Sequence, residues 1–242
     1  MNVFIDIETV PDQREGAFES FLNYDNVKCP FTTKTQIGED LNMQPEEYKF
    51  IGADDFKLMW VNKKGSEQAV IQAEQEYRKT SFDGARGEII SIAFAVEDSE
   101  VVTYKRDGIT ESELISGAFE HLRSELGGKS PWFIGHNIGG FDLKFLFQRC
   151  VINRIDPKVD LKQWGRHAAN YYDTMQAWAG FGNRISQDNL CKALGIEGKP
   201  CDISGANVWD HYKAGNIARI AEYNAQDVET VRKIYARLNF QS

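Results

Sequence analysis

Residues 2–11 read Asn-Val-Phe-Ile-Asp-Ile-Glu-Thr-Val-Pro. β-Branched and aromatic residues dominate positions 2–7, which predicts a strand, and Pro11 stops it. Side chains alternate along a strand, so Asp6 and Glu8 project to one face, about 7 Å apart. Two carboxylates at that spacing repel each other unless a cation sits between them. Their neighbours Phe4, Ile5 and Ile7 are apolar, unlike those of an ordinary solvated strand. Two readings stay open on this motif alone. One is an edge strand that displays exposed acids. The other is a divalent-ion site, since carboxylate oxygens suit Mg²⁺ or Mn²⁺.

Further strands are predicted at 88–97, the strongest in the chain, at 100–106 as its hairpin partner, and at 131–136. Helices are predicted at 44–60, 66–79, 110–126, from Gly139-Gly140 to about 150, at 174–179, 186–194 and 215–238. Gly127-Gly128 is a stop signal for the helix before it. A less regular region holds Tyr171-Tyr172-Asp173-Thr174. Early strands that pair in sequence, followed by strand–helix units, predict an α/β domain with a mixed sheet flanked by helices. Residues 12–80, largely helical, interrupt this pattern after the first strand.

The 242 residues suit one α/β domain of 1–242 that carries 12–80 as an insertion. With 42% apolar and 12% aromatic residues there is enough for a sizeable core. Lys and Arg total 28 against 36 Asp and Glu, a net charge of −8. That balance argues against tight sequence-specific binding of duplex DNA, which rests on Lys and Arg. Cys29, Cys150, Cys191 and Cys201 form no C-x-x-C pair and read as reduced thiols, pointing to the cytoplasm. His121, His136, His167 and His211 are scattered, so no zinc site is suggested. The N-terminus lacks a signal-peptide pattern. No run approaches the ~18 apolar residues of a membrane span, so no membrane partner is expected.

Two more acidic motifs follow. In Gly135-His136-Asn137-Ile138-Gly139-Gly140-Phe141-Asp142 an apolar strand ends in a glycine-rich turn, and a helix begins with an acid. Asp142 there either complements the helix dipole or serves a site. The two glycines permit close approach of a backbone or ligand, and Asn137 is a candidate donor to substrate. In Tyr223-Asn224-Ala225-Gln226-Asp227, Tyr223 and Asp227 share one helical face. Taken singly, they are also the usual half-buried tyrosine and surface acid.

The order of the three motifs is the more specific signal. A strand with Asp-x-Glu, an Asn-x4-Asp at a helix start and a Tyr-x3-Asp in a C-terminal helix resemble the DnaQ-like (DEDD) 3′→5′ exonucleases of the ribonuclease-H-like fold. One branch of that family has histidine five residues before the last aspartate, where this chain has Glu222. The other has tyrosine four residues before it, matched by Tyr223. The chain is therefore similar to the tyrosine (DEDDy) branch, and most to stand-alone relatives of the family B DNA polymerase proofreading domain. The resemblance covers about 2–10 and 88–238.

It implies a five-stranded mixed sheet and metal-dependent release of nucleotides from a free 3′ end, with single-stranded DNA as the expected substrate. It implies two divalent ions, Mg²⁺ or Mn²⁺, held by Asp6, Glu8, Asp142 and Asp227. On the same resemblance, Asp6 would bridge the pair and Tyr223 would orient the attacking water. Thr9 and Val10 are expected to line the terminal-nucleotide pocket, and Phe141 or Phe145 to stack on a base or pack in the core. Asp173-Thr174 is either near the site or a plain helix cap. An RNA exonuclease, or a catalytically silent nucleic-acid-binding module, are the competing expectations. The chain leaves no room for palm and fingers domains after the third motif, so it is expected to act alone or with a separate polymerase, helicase or repair partner.

Overall fold

The computed structural model describes residues 1–161, 170–198 and 202–241; His167 and Cys201 lie outside the described residues. The chain divides into two compact units, residues 1–13 with 80–242, and residues 14–79.

The first unit is built on a five-stranded mixed sheet. Its strands are β1 (Asn2–Val10), β2 (Glu88–Val96), β3 (Val102–Lys105), β4 (Trp132–Gly135) and β5 (Tyr171–Asp173), in the order β3-β2-β1-β4-β5. β1 pairs antiparallel with β2 and parallel with β4, and so occupies the centre. β5 extends the sheet parallel to β4, with Gly135 opposite Asp173. The sequence alone predicts an irregular region at Tyr171–Asp173. Three residues are too few to show a period, and they become a strand because β4 offers a free edge for backbone pairing.

The two faces of β1 are unlike, as its alternation demands. Val3, Ile5 and Ile7 enter the larger core, which includes Leu114, Ile115 and Leu122 of α4 (Glu111–Leu126) and Leu143, Phe145 and Leu146 of α5 (Asp142–Ile152). Phe4 and Val10 turn the other way. Phe4 packs with Val228 and Val231, and Val10 with Ile220, all on the C-terminal helix Ile217–Leu238.

One polar network crosses the larger core. Glu111 and Arg149 are both buried; Arg149 Nε and Nη2 donate to the two Glu111 oxygens at 2.8 and 2.6 Å. Glu111 also accepts from Ile89 N and from Asn153 Nδ2, and Arg149 Nη1 donates to Gly84 O. The network ties β2, α4 and α5 together around a low-dielectric ion pair whose donors and acceptors are met. At the end of β1, Asp12 N donates to Thr80 Oγ1 at 2.9 Å, and Arg86 reaches Asp12 Oδ2. The chain thus leaves and re-enters this unit at one hydrogen-bonded junction.

Residues 14–79 form α1 (Lys34–Asp40), α2 (Pro45–Tyr48) and α3 (Ala53–Lys79) around Ile37, Tyr48, Phe56 and Trp60. Thr33 and Gln36 make a capping box at the start of α1. Trp60 Nε1 donates to Asp40 Oδ2 at 2.7 Å. Where the sequence predicts helices at 44–60 and 66–79, the first is split into the short α2 and the start of α3, while α3 runs unbroken for 27 residues through 61–65. Gly65 lies in the gap between the two predicted helices, but it is buried, and a Cβ there would meet Val61 and Val27 at ordinary contact distance. Packing overrides the weak local propensity.

After β5 come α6 (Thr174–Ala179), α7 (Gln187–Leu194), α8 (Val208–Lys213) and α9 (Ile217–Leu238). No helix among the described residues is long and apolar enough to cross a membrane.

Replacing Arg149 with Met leaves the Glu111 carboxylate buried without its cation. The expected cost is about 3–5 kcal/mol of unfolding free energy, read from urea denaturation. A second change, Glu111→Leu, recovers part of that loss. If Arg149→Met alone is neutral, the pair does not hold these elements together.

Candidate active site

The stripe of α9 that faces β1 runs Ile220, Tyr223, Asn224, Asp227, Val228, Val231, at the spacing of one helical face. Its two ends are apolar and pack on Val10 and Phe4. Its middle is polar and lies where β1 presents Asp6 and Glu8. Oxygens of Asp6, Glu8 and Asp227 all lie within 4.8 Å of one another. Glu8 and Asp227 are buried, and Asp6 is half-buried. Across the antiparallel pair, Ala93 stands opposite Asp6 and Ser91 opposite Glu8, so small residues flank the acids on β2.

Two residues that the sequence reading passed over fix this arrangement. Asn224, fully buried, donates from Nδ2 to Asp6 Oδ2 at 2.6 Å. Ser91 Oγ donates to Asn224 Oδ1 at 2.9 Å. A donor of this kind locks the rotamer of a ligating carboxylate. Each had a signal: Ser91 interrupts the apolar run 89–96, and Asn224 sits inside an apolar helical stripe. Gln187 Nε2 donates to Asp227 O at 3.2 Å, tying α7 to the same turn of α9.

Asp142 approaches from the other side of β1. Its Oδ1 accepts from Ile7 N at 3.2 Å. Burial pushes its carboxyl well above the usual range, and the nearby charge of Asp6 adds to the shift. The hydrogen bond from Ile7 opposes this, and Asp173 raises it further. Tyr223 is also shifted upward, first by burial and then by the charges of Glu8, Asp6 and Asp188, against a backbone hydrogen bond from Gly205. Its hydroxyl therefore stays protonated at neutral pH.

A tight turn delivers Asp142. Asn137 has a left-handed backbone, φ 60°. Its N–H donates to Asp173 Oδ1 at 3.0 Å, and its carbonyl accepts from Gly140 N and Phe141 N. Asp173 Oδ1 also accepts from Met175 N and Gln176 N, so it is the cap of α6 and a clamp on the Asn137 turn together. Thr174 Oγ1 donates to Gly135 O and meets His136 Nδ1 at 3.0 Å. The close approach that Gly139 and Gly140 permit is internal. A Cβ on Gly139 would meet the Tyr171 ring at 2.6 Å, and one on Gly140 would meet Asn137 Oδ1 at 2.6 Å.

The remaining expected residues are placed less uniformly. Thr9 Oγ1 donates to Ser81 O at 2.8 Å. Val10 is fully buried among Ile90, Ile203, Val208 and Ile220, in the core rather than along an open pocket. Phe141 is half-buried at the start of α5, against Phe145, which is core. Glu222, in the position of the histidine of the other branch, is exposed and pairs with Arg219.

The donor set fits hard divalent cations. Three carboxylates from sequence positions 6, 8 and 227 converge, and a fourth buried carboxylate lies close to one of them. Oxygen-only, acid-rich sites of this type suit Mg²⁺ or Mn²⁺. Without a cation, such a cluster carries uncompensated like-charge repulsion.

Among solved structures, the family B DNA polymerase from the hyperthermophilic archaeon Pyrobaculum calidifontis has the same fold over 64% of this chain, with a TM-score of 0.51 and 17% sequence identity. The chain spans only 22% of that polymerase. No curated protein sequence matches. The model of a family described as predicted 3′-5′ exonucleases related to the exonuclease domain of PolB matches residues 85–242, more than half of the chain. Asp142, Tyr223 and Asp227 lie inside the match, while Asp6 and Glu8 precede it and join the site through the fold. The chain belongs to this family of predicted 3′-5′ exonucleases related to the PolB exonuclease domain.

Proposed function

We propose that the chain is a metal-dependent 3′→5′ exonuclease that removes nucleotides from the 3′ end of single-stranded DNA by a two-ion hydrolysis. The observation that carries this reading is the convergence of Asp6, Glu8 and Asp227 within 4.8 Å. Asp6, Glu8 and Asp227 would hold Mg²⁺ or Mn²⁺, with Asp142 in support. Bound ions of this kind supply a nucleophile at neutral pH and stabilise charge on the attacking and leaving oxygens. Kinship with the exonuclease domain of a DNA polymerase supports DNA as the polymer. On this reading residues 12–80 are an insertion between the first two strands of one exonuclease domain.

The chain's own side chains then have separable tasks. Asn224, backed by Ser91, holds Asp6 in one rotamer. The Asn137 turn carries Asp142 to the edge of β1. Tyr223 keeps its proton, so it orients the attacking water by a hydrogen bond and does not act as a base.

A 5′-labelled single strand should shorten from its 3′ end with Mn²⁺ or Mg²⁺, and stay intact with EDTA or with Asp6→Asn. No hydrolysis of DNA or RNA with any divalent metal would sink the reading. Mn²⁺ near 100 times its Kd should add about 2.7 kcal/mol of stability, a rise of roughly 5 °C or more in Tm. Asp6→Asn should lose that rise.

Asp142→Asn should abolish hydrolysis yet raise the Tm of the metal-free protein. The sign follows from the upward shift of the folded carboxyl. Well below pH 4, both states hold the proton. As pH rises above that, the unfolded chain ionises while the native state resists, so native stability falls. The gap between variant and wild-type Tm should therefore widen from about pH 4 to pH 7. A constant gap across that range would count against a carboxyl raised by burial.

Tyr223→Phe should lower kcat about tenfold to a hundredfold, the worth of one oriented hydrogen bond, with little change in Tm. An unchanged kcat would remove Tyr223 from the mechanism.

A further inference from the structure

One exposed aromatic ring lies on a turn tied to the strand that carries Asp6 and Glu8. Phe82 ends the short 3₁₀ turn Thr80–Phe82 and is 67% exposed. A lone surface phenylalanine needs no explanation. This one is anchored on two sides to the elements that carry the acids. Its turn is held to β1 by the hydrogen bonds Thr9 Oγ1 to Ser81 O and Asp12 N to Thr80 Oγ1. Thr9 directly follows Glu8. Its ring meets that of Phe141 with centroids 6.3 Å apart at 60°, and Phe141 directly precedes Asp142.

Phe145, Phe141 and Phe82 therefore form a row of rings that runs from the core through a half-buried position to solvent. The outermost is exposed and so within reach of a ligand. The ligand class follows from the surroundings. The chain is acidic, with a net charge of −8, and the neighbouring site is a cluster of carboxylates. Charge attraction by such a surface does not recruit a polyanion. Stacking of bases on aromatic rings supplies affinity without it, tolerates any sequence, and does not read the 2′-OH.

We propose that Phe82 is a substrate-stacking residue, whose ring receives a nucleobase at the 3′ end of a single strand beside Phe141. The inference rests on the exonuclease reading and adds a specific contact to it. It also makes residues 80–82, outside all three acidic motifs, part of the substrate site.

The probe is a ten-nucleotide single strand with 2-aminopurine at its 3′ end, bound to the full chain in EDTA so that it stays intact. A second strand carries the 2-aminopurine eight nucleotides inward, and both are made as DNA and as RNA. Wild type should quench the terminal fluorophore and not the inward one. Phe82→Ala should remove most of the quench and raise Kd about tenfold to a hundredfold. Phe82→Leu, which keeps apolar bulk without a π face, should behave like Phe82→Ala. Phe82→Trp should restore both readouts. Because the ring is exposed, all three variants should melt with the wild type. Equal loss on DNA and RNA is expected for a contact that reads only the base face.

Unchanged quench and Kd in Phe82→Ala, with hydrolysis by the wild type intact, would overturn the stacking role and leave the exonuclease reading standing. Full function in Phe82→Leu would also overturn it. A wild type that neither binds nor shortens either strand would overturn both.

Discussion

Like charges on an otherwise apolar seam are the constraint around which the first unit is arranged. β1 and α9 meet along a row in which Phe4 and Val10 are ordinary core contacts. Between them the packing would be expected to continue with more aliphatic side chains. The row holds Asp6 and Glu8 against Tyr223, Asn224 and Asp227 instead. Apolar contacts at both ends keep the acids close in spite of their repulsion. The ends of the seam thus stabilise what its middle destabilises, a division common where function is embedded in a core.

Much of this was legible in the sequence, for a physical reason. A strand's period of two puts Asp6 and Glu8 on one face, and a helix's period near four puts Tyr223 and Asp227 on another. Those periods are local, so they can be read without the fold. Asn224 was not legible, because its value lies in a hydrogen bond to a residue 218 positions away. β5 was missed for a similar reason, since three residues become a strand only through a neighbour's free edge. The gap expected between the helices at 44–60 and 66–79 is helical in α3, where Gly65 is buried in packing that local propensity does not see. Val10, expected at a pocket, is in the core, as the same period of two that places Asp6 and Glu8 turns it toward Ile220.

The Asn137 turn shows how a site can be held by groups that never touch it. Its left-handed residue is a costly conformation, tolerated best by glycine and asparagine. It is secured by Asp173 on one side and by the Gly140 and Phe141 amides on the other. Two glycines clear room for Tyr171 and for the Asn137 side chain. Asp142 reaches Ile7 N only at the end of this chain of constraints.

The junction at Asp12 and Thr80 has a different consequence, for how the chain can vary. Residues 13 to 79 depart and return at points joined by a 2.9 Å hydrogen bond. For a segment whose ends are fixed together, closure entropy grows only logarithmically with length, about 0.6 kcal/mol for each doubling. The sheet is therefore nearly indifferent to how many residues hang from that point. Size and composition can drift there while the register of β1 and β2, and with it the spacing of the acids, stays fixed.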